Sequence, residues 1–273
     1  MDGIPLDPAQ QAFIGQPLEG VTDLLDSHGQ PVVSANGTKL ATFADGQEGI
    51  VKPQSGEGKN VDLNEPDPDP PEKRGWVEGD KPFGDLWRNE LAASKLSRRL
   101  GFNDVPETAP FVGPDGPGSI QLKVDHVKVD IPTFDNPVVR QRMGIFDYIM
   151  GNADRHPGNM LKRLDGSPAL IDNGASLPKS VRPQMRSDQV AEFLNKPLDA
   201  ELLEKVRNVN PADVRAEFEA IGIPEESIKG ALGRLSEIQT HGMITGGANP
   251  GGCVIPNTAL GGLDFSNVKV FGP

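Results

Sequence analysis

Two short stretches hold the residues best suited to chemistry. Residues 151–161 read GNADRHPGNML, and residues 170–174 read LIDNG. Asp154 and Asn159 are five positions apart, and Asp172 ends an apolar run eighteen positions beyond Asp154. Transfer of a phosphoryl group needs a carboxylate to orient an acceptor hydroxyl and oxygen ligands to hold Mg2+ against nucleotide phosphates. Mg2+ is a hard cation, so Asn and Asp oxygens suit it where Cys or His would not. Either stretch alone reads as a polar turn, because Asn, Asp, Gly and Pro are turn formers. The two together, at this spacing, favour the chemical reading.

The same chemistry asks for a strand lysine to neutralise phosphates and a helix glutamate to hold that lysine. Lys52 ends the strand-like run GIVK, and Glu90 lies in DLWRNELAASKLSRRL. On a helix, Glu90 shares its face with Leu86, Ala93 and Ser97, so it lies on an inward stripe. Ser34–Lys39, SANGTK, falls one hairpin before Lys52, where a loop covering phosphates belongs. It is not a Gly-x-Gly-x-x-Gly motif, and Asn-Gly is also a good hairpin turn. The candidate set is therefore Asp154, His156, Lys52 and Glu90 as catalytic residues and Asn159 and Asp172 as metal ligands. Lys52, Asn36, Gly37, Thr38 and Gln121 are the candidate nucleotide-binding residues.

The elements that must position these groups follow from periodicity and punctuation. Residues 1–30 are polar and weakly periodic and read as an N-terminal extension. From 31 to 52, short β-type runs are broken by Asn36-Gly37 and Asp45-Gly46, which predicts two or three antiparallel strands. The proline- and aspartate-rich stretch 53–84 forbids a helix or a central strand and reads as a surface insertion. Asp85 is the expected N-cap of a helix to Leu100, with Arg98 and Arg99 in its last turn and Gly101 as the stop. Residues 102–131 return to extended patterning around a GPDGPG turn. Asn136-Pro137 opens a second helix, with Val139, Met143, Phe146 and Met150 on one stripe and Gly151 past its end. Four further helices are expected over 187–194, 199–206, 211–221 and 225–238, and the tail from 241 is glycine-rich and aperiodic.

This order gives an α+β chain: a β-rich N-terminal lobe over 31–124 with one helix, a helical lobe over 125–240, and a tail over 241–273. A cleft between two lobes is a common place for a ligand.

These residues resemble the atypical protein-kinase-like superfamily, above all bacterial members related to phosphatidylinositol 3- and 4-kinases. The Asp-Arg-His-x-x-Asn loop is matched by Asp154, Arg155, His156 and Asn159, and the hydrophobic-Lys-Pro strand by Ile50-Val51-Lys52-Pro53. Arg88-Asn89-Glu90 and Leu100-Gly101 are similar to the family's helix start and its leucine-glycine close. The resemblance spans roughly 30–240 and implies the bilobal kinase fold, ATP, and Mg2+ or Mn2+. One departure is that Asp172-Asn173-Gly174 stands where lipid kinases carry Asp-Phe-Gly, and this form is similar to secretory-pathway kinases. Toxin kinases of the HipA type share Gly-Asn-x-Asp-x-His-x-x-Asn, matched by Gly151, Asn152, Asp154, His156 and Asn159. Aminoglycoside and choline kinases share Asp-x-His-Pro-Gly-Asn but place a histidine where Asn152 stands. The resemblance supports the superfamily and leaves the branch open. In it, His156 either assists Asp154 or holds the loop, with the holding role favoured. Arg155 is expected to pair with an acidic partner, and Asn152 to stabilise the loop.

Composition bounds the rest. The chain has 273 residues, 27 Lys and Arg against 39 Asp and Glu, a formal charge of −12 and mean hydropathy −0.40. That balance disfavours nucleic acid and anionic membrane as partners, since both bind through excess Lys and Arg. A single cysteine, Cys253, excludes an internal disulfide framework and has no His or Asp context that would make it a nucleophile. His28, His126 and His241 lack metal spacing. No apolar run approaches the ~18–20 residues of a membrane span. MDGIPLDPAQQAF lacks the basic and apolar regions of a signal peptide, so a cytoplasmic chain is expected. Gly and Pro, 32 and 26 residues, make up about a fifth of the chain against a usual ~12%, which points to long connections in a folded protein.

The expected function is ATP- and Mg2+-dependent phosphoryl transfer to a hydroxyl of a protein Ser/Thr or a small molecule. Within the same fold the alternatives are a phosphatidylinositol-type lipid kinase and transfer of AMP. A non-catalytic binding or assembly protein is the reading from another class; loss of Asp154 or Asp172 would have marked it, and both are present.

Overall fold

The computed structural model describes residues 4–25, 28–32, 34, 37–57, 85–129, 131–179, 185–246 and the backbone of 254–255. Asn36, Cys253, residues 58–84 of the expected insertion and most of the tail lie outside these residues.

The N-terminal lobe is a five-stranded antiparallel sheet in the order β1-β2-β3-β5-β4. Its strands are β1 (Leu18–Asp23), β2 (Lys39–Phe43), β3 (Glu48–Pro53), β4 (Thr108–Gly113) and β5 (Gly116–Leu122). Asp45-Gly46 turns β2 into β3, with Gly46 at φ +83 accepting the left-handed conformation that the tight turn requires. Residues 1–30 are more than an extension. They supply α1 (Pro8–Ile14), closed by an Asp7–Gln10 capping box, and the edge strand β1. The weak periodicity hid them because β1 is exposed along most of its length and α1 buries only Gln10 and Phe13. Phe13 joins Phe43, Val51, Ala41, Ala109 and Ile120 in a small core on one face of the sheet.

Helix α2 (Leu86–Arg99) lies on the opposite face. It is buried almost all round, from Asn89 through Ser97 without a break, so Glu90 is enclosed rather than merely on an inward stripe. Its Leu91, Ala92, Ala93 and Leu96 belong to the larger core, which they share with the C-terminal helices. Asp85 does not cap it: at φ −124, ψ −2 it makes no cap hydrogen bond. The Glu57 carboxylate takes that place, accepting from the amides of Leu86 (3.2 Å) and Trp87 (2.9 Å). The two ends of the 58–84 segment are thereby fastened together.

The helical region holds α3 (Pro137–Met150), α4 (Asp188–Phe193), α5 (Ala200–Arg207), α6 (Pro211–Ile221) and α7 (Glu225–His241). Asn136, Ser187, Asp199 and Asn210 cap the first four of these by side-chain hydrogen bonds. Between α3 and α4 runs a hairpin, β6 (Met160–Lys162) and β7 (Pro168–Leu170), with the candidate loops at its two open ends. Met185–Arg186 (β8) pairs in parallel with Val254–Ile255 (β9) of the tail, which is therefore not wholly without strand structure.

Candidate active site

Lys52 faces α2 because the alternation of β3 puts it on the side opposite Val51 and the Phe13 core. Its strand partner is Ser119. Next to that pair, Gly118 is obligatory: a Cβ there would lie 2.3 Å from the Lys52 carbonyl oxygen and 2.7 Å from the Pro53 Cα. Lys52 is 8% exposed and Glu90 1%. The Lys52 ammonium donates to Glu90 Oε1 and, at 2.9 Å, to Asp172 Oδ1. One lysine from the sheet thus joins α2 to the loop after β7. Burial alone would depress the Lys52 ammonium, but the Asp172 and Glu90 carboxylates more than reverse that and hold it above its ordinary value. Burial likewise pushes the Asp172 carboxyl up, and the Lys52 charge and hydrogen bond bring it below the usual carboxylate range.

The loop 151–159 is set by α3. Gly151, at φ +64, ends the helix in the left-handed conformation. Asn152 then folds the chain: its Oδ1 accepts from the Asp154 amide (2.8 Å), and its backbone bonds to Asp147 and Arg186. The Asp154 side chain is 37% exposed and lies 3.4 Å from Arg186 Nη1. Desolvation pushes its carboxyl up to about 7; Arg186 pulls it down and the Asp172 charge adds to the rise. Asn159 is buried, its Nδ2 donating to the Asp154 carbonyl (2.8 Å), which leaves its Oδ1 as the ligand-type atom.

His156 has a local job. Its Nδ1 accepts from the Gly158 amide at 3.1 Å, closing the 3-10 turn Pro157–Asn159. Burial lowers its pKa to about 4, so the ring is neutral near pH 7 and suited to accepting that bond. This geometry matches a residue that holds the loop.

Arg155 is fully buried and meets an acidic partner, Asp147 of α3, also fully buried. Its Nε donates to Asp147 Oδ1 (3.0 Å), its Nη1 to the carbonyls of Asn159 and Ile171 (2.8 Å each), and its Nη2 to Asn173 Oδ1 (2.5 Å). Ser187 Oγ donates to the second Asp147 oxygen at 2.9 Å. One guanidinium therefore fastens together α3, the 151–159 loop and the segment after β7, and Asp147 ties in the start of α4 through Ser187. Sequence reading missed Asp147, Asn173 and Arg186 as parts of the site. The available signal was a charged residue, Asp147, inside the apolar run Ile145–Met150.

The remaining candidates divide. Gln121 shares the Lys52 face of the sheet, and its amide donates to Thr108 Oγ1 (3.0 Å). Gly37, at φ +59, packs against Gly56, and Ser34 Oγ bonds to the Thr38 hydroxyl and amide (2.8 and 2.9 Å), closing the loop between β1 and β2. Asn36 falls outside the described residues.

Asn159 Oδ1 and the free oxygen of Asp172, whose side chain is 42% exposed, supply two hard oxygen donors. That set fits Mg2+ or Mn2+, since Mg2+ sites of this kind take one or two protein oxygens and complete the shell with phosphates and water. Among the described residues no group of three or more His, Cys, Asp or Glu could hold a metal without such help.

Comparison with known proteins agrees with this architecture. The family model for phosphatidylinositol 3- and 4-kinase matches residues 140–190, the span from α3 through both loops. The chain is 30% identical over 171 residues to protein Rv2133c of Mycobacterium tuberculosis, covering 49% of this chain and 60% of that protein. It is 28% identical over 232 residues to phosphatidylinositol 4-kinase gamma 4 of Arabidopsis thaliana, covering 71% of this chain and 40% of that one. It thus spans well under two thirds of the length of both relatives. Among solved structures, the Golgi casein kinase with Mn/ADP bound superposes with a TM-score of 0.52 at 14% identity, over 86% of this chain and 74% of that one. A sheet lobe with one buried helix over a helical region is the kinase-like fold, and the sequence matches that fall across it make the chain similar to the phosphatidylinositol kinases of the atypical protein-kinase-like superfamily.

Proposed function

We propose that the chain is an ATP-dependent phosphotransferase that moves the terminal phosphoryl group to a hydroxyl of a protein Ser/Thr or a small molecule. The observation that carries this reading is the convergence of Lys52, Glu90 and Asp172. Three separate elements bring a buried cation between two carboxylates, and the partly exposed Asp154 carboxylate adds negative charge on the Asp172 side. Lys52, aimed by Glu90, neutralises the nucleotide phosphates. Asn159 and Asp172 hold Mg2+ or Mn2+, which when bound offsets charge on the phosphoryl oxygens. Asp154 orients the acceptor hydroxyl and takes its proton as the oxygen–phosphorus bond forms and the bond to the departing ADP oxygen breaks.

The acceptor is a protein or small-molecule hydroxyl in preference to a lipid in a bilayer. The net charge of −12 works against docking on an anionic surface, and the family-model match is confined to residues 140–190, around the 151–159 and 170–174 loops. Among the described residues no helix is long and apolar enough to cross a membrane.

The test uses the protein and its Asp172→Ala variant with γ-labelled ATP and Mg2+ or Mn2+, against itself, a lysate and inositol-lipid vesicles. Label is expected on a protein or metabolite with wild type and not with Asp172→Ala. Absence of both transfer and metal-dependent nucleotide binding in wild type overturns the reading. Label surviving in the variant overturns only the metal assignment, and label on vesicle lipid replaces the acceptor class.

A further inference from the structure

Glu90 has a neighbour whose side chain does as much for the metal loop as Glu90 does for Lys52. Asn89, 2% exposed, donates from Nδ2 to the carbonyls of Gly174 and Ser176, each at 2.8 Å. Glu90 Oε1 accepts from the Gly174 amide at 3.2 Å. Two consecutive residues of α2 therefore grip Gly174 by its N–H and its C=O. Successive helix positions point ~100° apart, so one residue can face Lys52 while the next reaches the loop. Gly174 eases the approach, because a Cβ there would sit 3.3 Å from the Leu86 Cβ and oblige one of them to give by a few tenths of an ångström.

The loop needs such a grip. Asp172 (φ +51) and Leu177 (φ +55) are two of the four non-glycine residues in the left-handed region among the described residues. That conformation is costly for residues with a Cβ and persists only where the surroundings fix it. Asn173 is held from the helical side by Arg155, and Gly174 and Ser176 are held from α2. The amide is the right group for its task. A primary amide nitrogen has two hydrogens, one for each carbonyl, and carries no charge. Aspartate, of the same shape, would put a carboxylate against two carbonyl oxygens.

We propose that Asn89 is a positioning residue for the metal site: through Gly174 and Ser176 it makes the direction of the Asp172 carboxylate depend on the docking of α2. The inference rests on the phosphotransfer reading for the metal role of Asp172. It extends that reading by naming the group that couples the two lobes there.

The experiment titrates ADP into the full chain by calorimetry with and without Mn2+, for wild type, Asn89→Ala, Asn89→Asp and Asp172→Ala, below each variant's melting temperature. Wild type is expected to bind ADP more tightly with Mn2+, and Asp172→Ala to lose that gain. Asn89→Ala is expected to keep the metal-free affinity and lose about tenfold or more of the Mn2+-dependent gain, since two buried hydrogen bonds that fix the loop are gone, and Asn89→Asp to lose more. A merely structural Asn89 would lower the melting temperature and leave the Mn2+ gain of the folded protein intact, and that result overturns the inference. If Asn89→Ala does not fold, Asn89→Ser carries the same comparison. No Mn2+ gain in wild type removes the metal role of Asp172 and the inference that rests on it, while the transfer assay decides the phosphotransfer reading separately. A gain in wild type undiminished in the Asn89 variants fails this inference alone.

Discussion

Replacing Arg155 by methionine tests the buried hub from which both loops hang. The substitution keeps length and apolar bulk and removes every donor. Asp147, fully buried, would be left with Ser187 Oγ alone, and Asn159 O, Ile171 O and Asn173 Oδ1 would each lose a partner. Breaking a buried ion pair from one side costs about 3–5 kcal/mol. The orphaned carbonyls add to this less than additively, so about 5 kcal/mol is expected, a large part of the ~5–15 kcal/mol of a folded domain. For a domain of this size each kcal/mol is worth about 2–4 °C, so Tm should fall by about 10–20 °C. The defect should also depend on pH. Burial already raises the Asp147 carboxyl in the presence of Arg155. A carboxyl raised in the folded state costs stability as pH climbs through its folded pKa, and removing Arg155 raises it further. Thermal unfolding by circular dichroism should therefore show a smaller loss at pH 5 than at pH 8, and Asp147→Asn added to Arg155→Met should recover much of it. A fall under about 3 °C, an equal loss at both pH values, or no recovery in the double variant would refute the hub.

Turnover should rise with pH through about 7, because desolvation holds the Asp154 carboxyl there and its ionised form is the one that takes a proton; a flat rate between pH 6 and 8 would count against Asp154. By the same sign, Asp154→Asn should melt above wild type at pH 8, with the gap narrowing as pH falls toward 4, since the raised folded pKa makes the ionised residue a growing burden. Glu90→Gln keeps its shape and should lower kcat/KM by about 10–100-fold with little change in Tm, as loss of a charge-assisted bond to Lys52 would do; unfolding without a kinetic defect would remove the Lys52–Glu90 assignment. Deleting 65–72 should preserve activity, because Glu57 fastens the insertion's ends at α2, whereas Glu57→Ala should lose about 0.5–2 kcal/mol of stability as a missing cap, read by urea unfolding.

What could be read in advance was whatever local chemistry dictates. The Asp45-Gly46 hairpin, the turn at Asp115-Gly116, α2, α3 and the four C-terminal helices announced themselves through turn dipeptides, caps and periodicity, whereas Asn36-Gly37, expected as a hairpin turn, lies in the long connection from Asp23 to Lys39. The helices' observed limits fall within about three residues of those expected, α7 running on to His241 until Gly242 turns left-handed. What escaped was non-local. β1 has too little buried face to alternate, and it is a strand because β2 pairs with it. Asp85 looks like the cap of α2, yet a carboxylate twenty-eight positions upstream does the capping, and no local rule reports that. Asn89 and Asn173 stand in recognisable motifs, yet their hydrogen-bond partners, like the Asp154 partner of Arg186, arrive only from other elements.

The sequence by itself determined which groups are present. The types and spacing of Asp154, Asn159 and Asp172 are covalent facts, as are a strand that ends in Lys52 and a helix that carries Glu90. The tertiary structure alone decided what those groups are. It placed Lys52 between two carboxylates, raised the Asp154 carboxyl by burial, turned His156 to its own loop, and made Asn89 and Arg155 hold the loop after β7 from either side. The physical reason is that burial and charge contact arise between segments far apart in the chain. The pKa of a carboxylate, or the worth of a hydrogen bond, follows from the dielectric and the neighbours that folding supplies.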